Sequence, residues 1–132
     1  MANVSAVHHV SLLVSDTRRA LAFYTDLLGL AVDELRPDLG YPGAWLAVGD
    51  AQIHLLELPD PLQGTPAPVH GGRDRHVALA VTGLDDIQDA LLSAGVAFTP
   101  SHSGRRALFC RDPDGNAIEL VEVAAAGSRD QQ

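Results

Sequence analysis

Three histidines and one glutamate stand at positions that a duplicated segment makes equivalent, and these residue types together bind divalent metals. His9-Val10-Ser11-Leu12-Leu13-Val14 returns as His76-Val77-Ala78-Leu79-Ala80-Val81, and Ile53-His54-Leu55-Leu56-Glu57 returns as Ile118-Glu119-Leu120-Val121-Glu122. His76 follows His9 by 67 positions and Glu119 follows His54 by 65, so the copies share nearly one register. One candidate ligand near the start of each copy and one near its end point to a single four-ligand site made of His9, His54, His76 and Glu119. Imidazole with carboxylate suits one divalent first-row metal per site: zinc, nickel, manganese, iron or cobalt. Burying three imidazoles and a carboxylate without partners costs several kcal/mol, and a metal removes that cost. A closed hydrogen-bond network is the other way to remove it.

The other polar residues offer less. Cys110 is the only cysteine, so no intrachain disulfide forms and no thiolate cluster holds the metal. All nine basic side chains are arginine, which excludes Schiff-base catalysis and a phosphate-loop lysine. The net charge of −8 argues against nucleic acid, whose binding needs clustered positive charge. His8 precedes His9 on the opposite strand face and is expected to be exposed, as are His70 and His102. Glu57 and Glu122 fall near strand ends on the helix-facing side, where solvent is the expected partner. Arg105 and Arg106 precede a strand expected to flank Glu119; one of them is a candidate for holding an anionic substrate group, with a solvated turn as the alternative. Trp45, Tyr41 and Phe109 suit either an apolar pocket or the core.

The elements that must position these residues read as β-α-β-β-β, twice. Alternation of period two makes a strand of His9 to Val14. Asp16 is placed to cap a helix from about Thr17 to Leu28, which Gly29 stops. Strands follow near Ala31 to Leu35, Trp45 to Val48 and Ala51 to Leu58. Four prolines and three glycines make 59–75 a linker. The second copy runs from a strand at His76 to Val81, through a helix at Leu84 to Ala94 stopped by Gly95, to strands near Val96 to Thr99, Arg106 to Cys110 and Ala117 to Val123. Asp112-Pro113-Asp114-Gly115 is a turn signature before the last strand. The tail 124–132 is small and polar and reads as disordered. Val10, Leu12, Val14, Ile53, Leu55, Val77, Leu79, Val81, Ile118 and Leu120 alternate onto faces able to cover the helices. His9, His54, His76 and Glu119 are left on the other face.

At 132 residues the chain suits one domain. No apolar run reaches the roughly 18 residues of a membrane span. The opening Met1-Ala2-Asn3-Val4-Ser5 lacks a basic and apolar leader, so a cytoplasmic protein with no membrane partner is expected.

Two stretches carry a family resemblance: His9-Val10-x-Leu12-x-Val14-x-Asp16 with Ala22-Phe23-Tyr24-x-x-Leu27-Leu28-Gly29-Leu30, and Asp112-Pro113-Asp114-Gly115-Asn116-x-Ile118-Glu119-Leu120. From about Val7 to Val123 the chain resembles the vicinal oxygen chelate superfamily. That superfamily includes glyoxalase I, methylmalonyl-CoA epimerase, fosfomycin-modifying thiol transferases, extradiol dioxygenases and bleomycin-binding proteins. The resemblance implies an α+β fold in which two tandem βαβββ modules form curved half-barrel sheets. It makes 1–132 one glyoxalase-like domain: module 7–58, linker 59–75, module 76–123 and tail 124–132. Carried over by position, the implied metal ligands are His9, His54, His76 and Glu119, on sites shared between the two chains of a homodimer. The implied function is a metal-dependent lyase or isomerase/epimerase that chelates a small oxygenated substrate, anionic where an arginine holds it, and works through an enediolate-type intermediate. In that scheme Glu119 or His54 is the catalytic base. His54 stands where similar bacterial glyoxalases and epimerases usually carry glutamate or glutamine. The alternative function is a metal-free protein that binds or sequesters a drug or antibiotic. Extradiol cleavage fits less well, because a fourth protein ligand crowds a two-histidine, one-carboxylate arrangement.

Overall fold

The computed structural model describes residues 1–125. These fall into two compact units, the first from Met1 to Gly64 and the second beginning at Thr65. Residues 126–132, most of the expected tail, lie outside the described residues.

The first unit is β1 (His9–Val14), α1 (Thr17–Leu21) running on as a π-helical segment (Ala22–Leu27), β2 (Ala31–Val32), β3 (Gly43–Val48) and β4 (Ala51–Glu57). The second is a 3₁₀ turn (Gly71–Arg73), β5 (His76–Val81), α2 (Leu84–Ser93), β6 (Phe98–Pro100), β7 (Ala107–Arg111) and β8 (Ala117–Glu122). Each unit forms a four-stranded mixed sheet, ordered β1-β4-β3-β2 and β5-β8-β7-β6. In both, the first and last strands pair in parallel and the other pairs are antiparallel. The duplication read from the sequence is therefore a duplication of topology.

Register carries the repeat down to single residues. His9 lies opposite Gln52, and His54 is two positions further along β4. His76 lies opposite Ala117, and Glu119 is two positions further along β8. Side chains two apart on a strand share a face, so each module presents its pair diagonally across two parallel strands. The antiparallel neighbours match as well: Trp45 is opposite His54 and Phe109 is opposite Glu119.

The core follows the alternation only partly. Val14, Ile53, Leu55, Leu79, Ile118 and Leu120 are buried, whereas Val10, Leu12, Val77 and Val81 are half-buried. The central strands β4 and β8 are covered on both faces, so His54 and Glu119 are buried too. Ala20, Phe23 and Tyr24 bring the first helix onto its sheet, and Leu84 and Leu91 bring α2 onto the other.

Several elements differ from the sequence expectation for local reasons. The first helix changes winding after Leu21, and its end is closed by Leu28 N–H on Phe23 O at 3.0 Å. This wider winding reduces the angle between successive side chains, and the adjacent Phe23 and Tyr24 are both buried, edge to face at 4.9 Å. Strand β2 stops at Val32 because the Asp33 carboxylate accepts the Leu35 N–H at 2.9 Å and turns the chain. Val96 closes the end of α2 through a bond to Leu91 O at 2.9 Å, so β6 starts at Phe98. Gly29 and Gly95, 66 positions apart, both take positive φ, 81° and 72°, at the two helix ends. Within the expected linker, Gly71–Arg73 forms one 3₁₀ turn.

Glu57 and Glu122 do not simply face solvent. Glu57 Oε1 accepts the Thr17 N–H at 2.8 Å and Glu122 Oε1 accepts the Leu84 N–H at 3.2 Å. Both acceptors lie at the end of the last strand, and both donors open the crossover helix of the same module. A carboxylate there satisfies an orphan amide and faces the positive end of the helix dipole. Glu57→Ala and Glu122→Ala are each expected to cost about 1 kcal/mol, as a lost helix cap does. Urea denaturation checks both, and a neutral result at either position removes the capping role there.

Candidate functional site

In the second module His76 and Glu119 meet directly. His76 Nε2 is 3.2 Å from Glu119 Oε1, with the Glu119 side chain almost fully buried at 4% exposure. His76 Nδ1 lies 2.9 Å from the Asp74 carbonyl oxygen. A carbonyl only accepts, so Nδ1 carries the hydrogen and a neutral His76 turns its bare Nε2 toward the carboxylate. Two electron-pair donors so placed are drawn together by a cation, either a proton on Nε2 or a metal ion. With metal–nitrogen and metal–oxygen bonds of roughly 2.1 Å, a 3.2 Å separation subtends about 100°, which adjacent ligands of one ion can span. Glu119 Oε2 is buried without a hydrogen bond; Arg105 Nη2 pairs with it at 3.5 Å. Phe109 packs its edge against the His76 ring at 5.1 Å. The chemistry of this pair fits a divalent metal.

The first module places its pair differently. The His9 and His54 rings stack at 4.0 Å and 13°, and Trp45 stacks on His54 at 4.4 Å and 9°. His54 is thus layered against both neighbours. A metal bound to imidazole lies in the ring plane, so nearly parallel rings cannot share one ion until one of them turns. His54 Nε2 is 2.8 Å from Gln52 Oε1, and Gln52 Nε2 donates to Asp33 Oδ2 at 2.8 Å. The Asp33 carboxylate only accepts, which fixes the Gln52 amide with its oxygen toward His54. His54 therefore carries its hydrogen on Nε2 and its lone pair on Nδ1. Burial, then the neighbouring His9 and His8, hold its pKa below the ordinary 6.5, so it is neutral at pH 7.

Other residues named from sequence fall into place around these pairs. His8 is exposed as expected, but it precedes the first strand residue, and its Nδ1 reaches the His9 Nδ1 at 2.9 Å. Strand alternation, which set the two apart, does not extend to it. His70 is not a free surface residue: its Nδ1 accepts the Gly72 N–H at 3.0 Å and its Nε2 donates to Pro100 O at 3.1 Å. His102 lies against it, ring to ring at 4.9 Å. Arg105 and Arg106 separate cleanly. Arg106 is paired with Asp85 and Glu122, while Arg105 is 63% exposed and pairs with Glu119. Tyr41 faces Arg36, 5.3 Å from the ring. Burial, then the Asp112 charge, push the Cys110 thiol up to about 12, so it is neither nucleophile nor ligand at neutral pH. Gln52, Asp33 and Asp74 are not singled out by the sequence; Gln52 and Asp74 stand two residues before His54 and His76, whereas Asp33 carries no such signal.

Among the described residues, no group of three or more histidine, cysteine or acidic side chains is gathered to hold a metal. Each pair belongs to its own module. No helix among the described residues is long and apolar enough to cross a membrane.

Two βαβββ modules of identical strand order, each presenting a diagonal pair of donors from its first and last strands, define a duplicated chelate-type fold. The chain belongs to the Glyoxalase/Bleomycin resistance protein/Dioxygenase superfamily, which it matches over residues 6–120. It is similar to the lactoylglutathione lyase of Salmonella typhimurium, 30% identical over 127 residues that cover 90% of this chain and 93% of the relative. YwkD of Bacillus subtilis, an uncharacterized protein, is 31% identical over 126 residues, covering 90% of this chain and 98% of the relative. Among solved structures, the antibiotic-binding protein TnmS3 of a Streptomyces species gives a TM-score of 0.71 at 25% identity, covering 94% of this chain and all of that one. The fosfomycin resistance protein FosX of Listeria monocytogenes shares the fold, with a TM-score of 0.72 at 15% identity, covering 98% of this chain and all of that one.

Proposed function

We propose that the protein is a metal-dependent enzyme of the glyoxalase type, a lyase or isomerase that binds a small oxygenated substrate through two neighbouring oxygens. The observation that carries this reading is the approach of His76 Nε2 to a buried Glu119 carboxylate oxygen at 3.2 Å, with Nδ1 turned to the Asp74 carbonyl. A metal-free binding protein does not need a donor pair at repeat-equivalent positions. His76 and Glu119 would anchor one divalent ion, and His9 and His54 of a second copy would complete the set once one ring leaves the stack. When bound, the ion supplies Lewis acidity toward the substrate oxygens.

The chain's own groups supply the rest. Glu119 is the first candidate base, because Oε2 is free of hydrogen bonds and a carboxylate keeps lone pairs beyond the one it gives a metal. His54 Nδ1, held bare by the Asp33–Gln52 relay, is the second, in place of and not together with its role as a metal ligand, because the imidazole has only that one free lone pair. Arg105 is the arginine left to meet an anionic substrate group, because Arg106 is taken up by both Asp85 and Glu122. Support for the lyase reading comes from the 30% identity with a lactoylglutathione lyase. The proposed assembly is a cytoplasmic homodimer.

Dialysed protein is expected to bind about one divalent ion per site, and the metal-loaded form to produce lactoylglutathione from methylglyoxal and glutathione. Metal content by mass spectrometry and thioester formation by absorbance check the two parts separately. Metal binding without turnover would replace the lyase with another chelate-dependent reaction. No binding of nickel, zinc, manganese, iron or cobalt would overturn the enzyme reading and leave the sequestering one.

A further inference from the structure

The His76 tautomer, on which the fit of the second pair depends, is set by a relay that begins two strands away. The imidazole Nδ1–H is held by the carbonyl of Asp74, just before β5. That residue is itself anchored at three points. Its N–H donates to Gly71 O at 3.1 Å, its Oδ1 accepts the Arg75 N–H at 2.9 Å, and its Oδ2 accepts from Arg111 Nη1 at 2.9 Å.

Arg111 is the last residue of β7, opposite Ala117 at the start of β8. Its Nη1 also donates to Gly115 O at 2.7 Å, and its Nη2 donates to Pro68 O at 2.6 Å. One guanidinium thus joins the segment ahead of β5, the Asp112–Asn116 turn and the sheet. Its side chain is 25% exposed and that of Asp74 20%, so the contact is partly shielded from water. Arg111 holds the Asp74 carboxyl below its usual range, chiefly through this hydrogen bond.

The structure assigns Arg111 a positioning role: by fixing Asp74 against the β7–β8 turn, it keeps the Asp74 carbonyl on His76 Nδ1 and so keeps His76 Nε2 bare and aimed at Glu119. This role rests on the proposed metal-dependent reading for its functional consequence, but not for its effect on the imidazole. Arg111 touches neither metal nor substrate in this scheme. Outer partners of this kind commonly set ligand orientation, and their loss costs about 10- to 100-fold in metal affinity.

Nitrogen-15 NMR of the His76 ring in metal-free full-length protein, well above the ordinary imidazole range of pH, tests the relay directly. The wild type is expected to show the Nδ1–H tautomer. Arg111→Gln is expected to shift His76 toward the Nε2–H form that free imidazole side chains prefer, and Arg111→Lys, which keeps a cation for Asp74, to restore much of the wild-type signal. Asp74→Ala removes the same link while leaving the Arg111 bonds to Gly115 and Pro68 available, so it serves if Arg111→Gln does not fold. Nickel titration is expected to show a 10- to 100-fold weaker affinity in Arg111→Gln and Asp74→Ala.

An unchanged tautomer in a folded Arg111→Gln or Asp74→Ala variant would overturn the proposal, including the case in which melting temperature falls and the ring signal does not. A shifted tautomer in a protein that binds no metal in any form would uphold the relay and sink the metal-dependent reading instead. The two failures are therefore told apart.

Discussion

Glu119→Gln is expected to weaken divalent-metal binding by roughly 100-fold or more, since loss of a direct ligand should exceed the 10- to 100-fold cost of losing an outer partner, and to leave the protein folded. The amide keeps the shape of the carboxylate but removes its charge. Its new N–H₂ donor also suits the bare His76 Nε2, 3.2 Å from Glu119 Oε1. With the amide nitrogen at the Oε1 position, the oxygen left at the Oε2 position still lacks a hydrogen bond but no longer carries charge, so its burial costs less. Stability is therefore expected to hold or rise while metal affinity collapses. That opposition separates a functional carboxylate from a structural one, whose removal would lower stability. Calorimetric titration with nickel or zinc, beside a thermal melt, reads both quantities. Unchanged affinity would remove Glu119 from the metal set, and with it the strongest support for the proposed chemistry.

How far the sequence reached toward this site depended on the range of the interaction involved. The repeat of His9 and His54 as His76 and Glu119 is a matter of spacing, and the structure turns it into the same diagonal on two sheets of the same order. Alternation is a property of one strand, and it separated the buried Ile53 and Leu55 from His54 correctly. It could not show that His54 is buried as well, because burial on the second face comes from Trp45 stacking against it from β3. Nor could it show that His9 and His54 stack, since ring orientation depends on side-chain torsions that spacing leaves open. Glu57 and Glu122 were placed on the right side of their strands, but their partners are helix amides 40 and 38 residues earlier. Arg105 and Arg106 were indistinguishable as neighbours in sequence. They part because only Arg106 reaches the Asp85 and Glu122 carboxylates. The tautomers of His54 and His76 were the least legible feature, for each is fixed by a partner's partner: Asp33 behind Gln52, and Arg111 behind Asp74.

Gly43→Ala is expected to destabilise the first module by about 2–3 kcal/mol, in the range of overpacking changes, and to disturb His54 from a distance. A Cβ at position 43 would lie 2.2 Å from the Leu55 carbonyl oxygen and 3.0 Å from Arg36 Nη2. The arginine side chain can move aside, but the carbonyl belongs to the backbone of β4. Relief therefore requires β3 and β4 to separate at one end of their ladder, where Gly43 is opposite Leu56. The same ladder, two residues on, sets Trp45 opposite His54. Opening it loosens the 4.4 Å stack that covers the imidazole. The strain is purely steric, since Gly43 does not take positive φ. Urea denaturation should show a lower midpoint, and the indole fluorescence of Trp45, the only tryptophan, should shift in the folded baseline before unfolding begins. A lower midpoint with unchanged native fluorescence would confine the strain to the strand end and detach it from the site. Unchanged stability would mean that β4 yields without cost, contrary to the close packing of a strand covered on both faces.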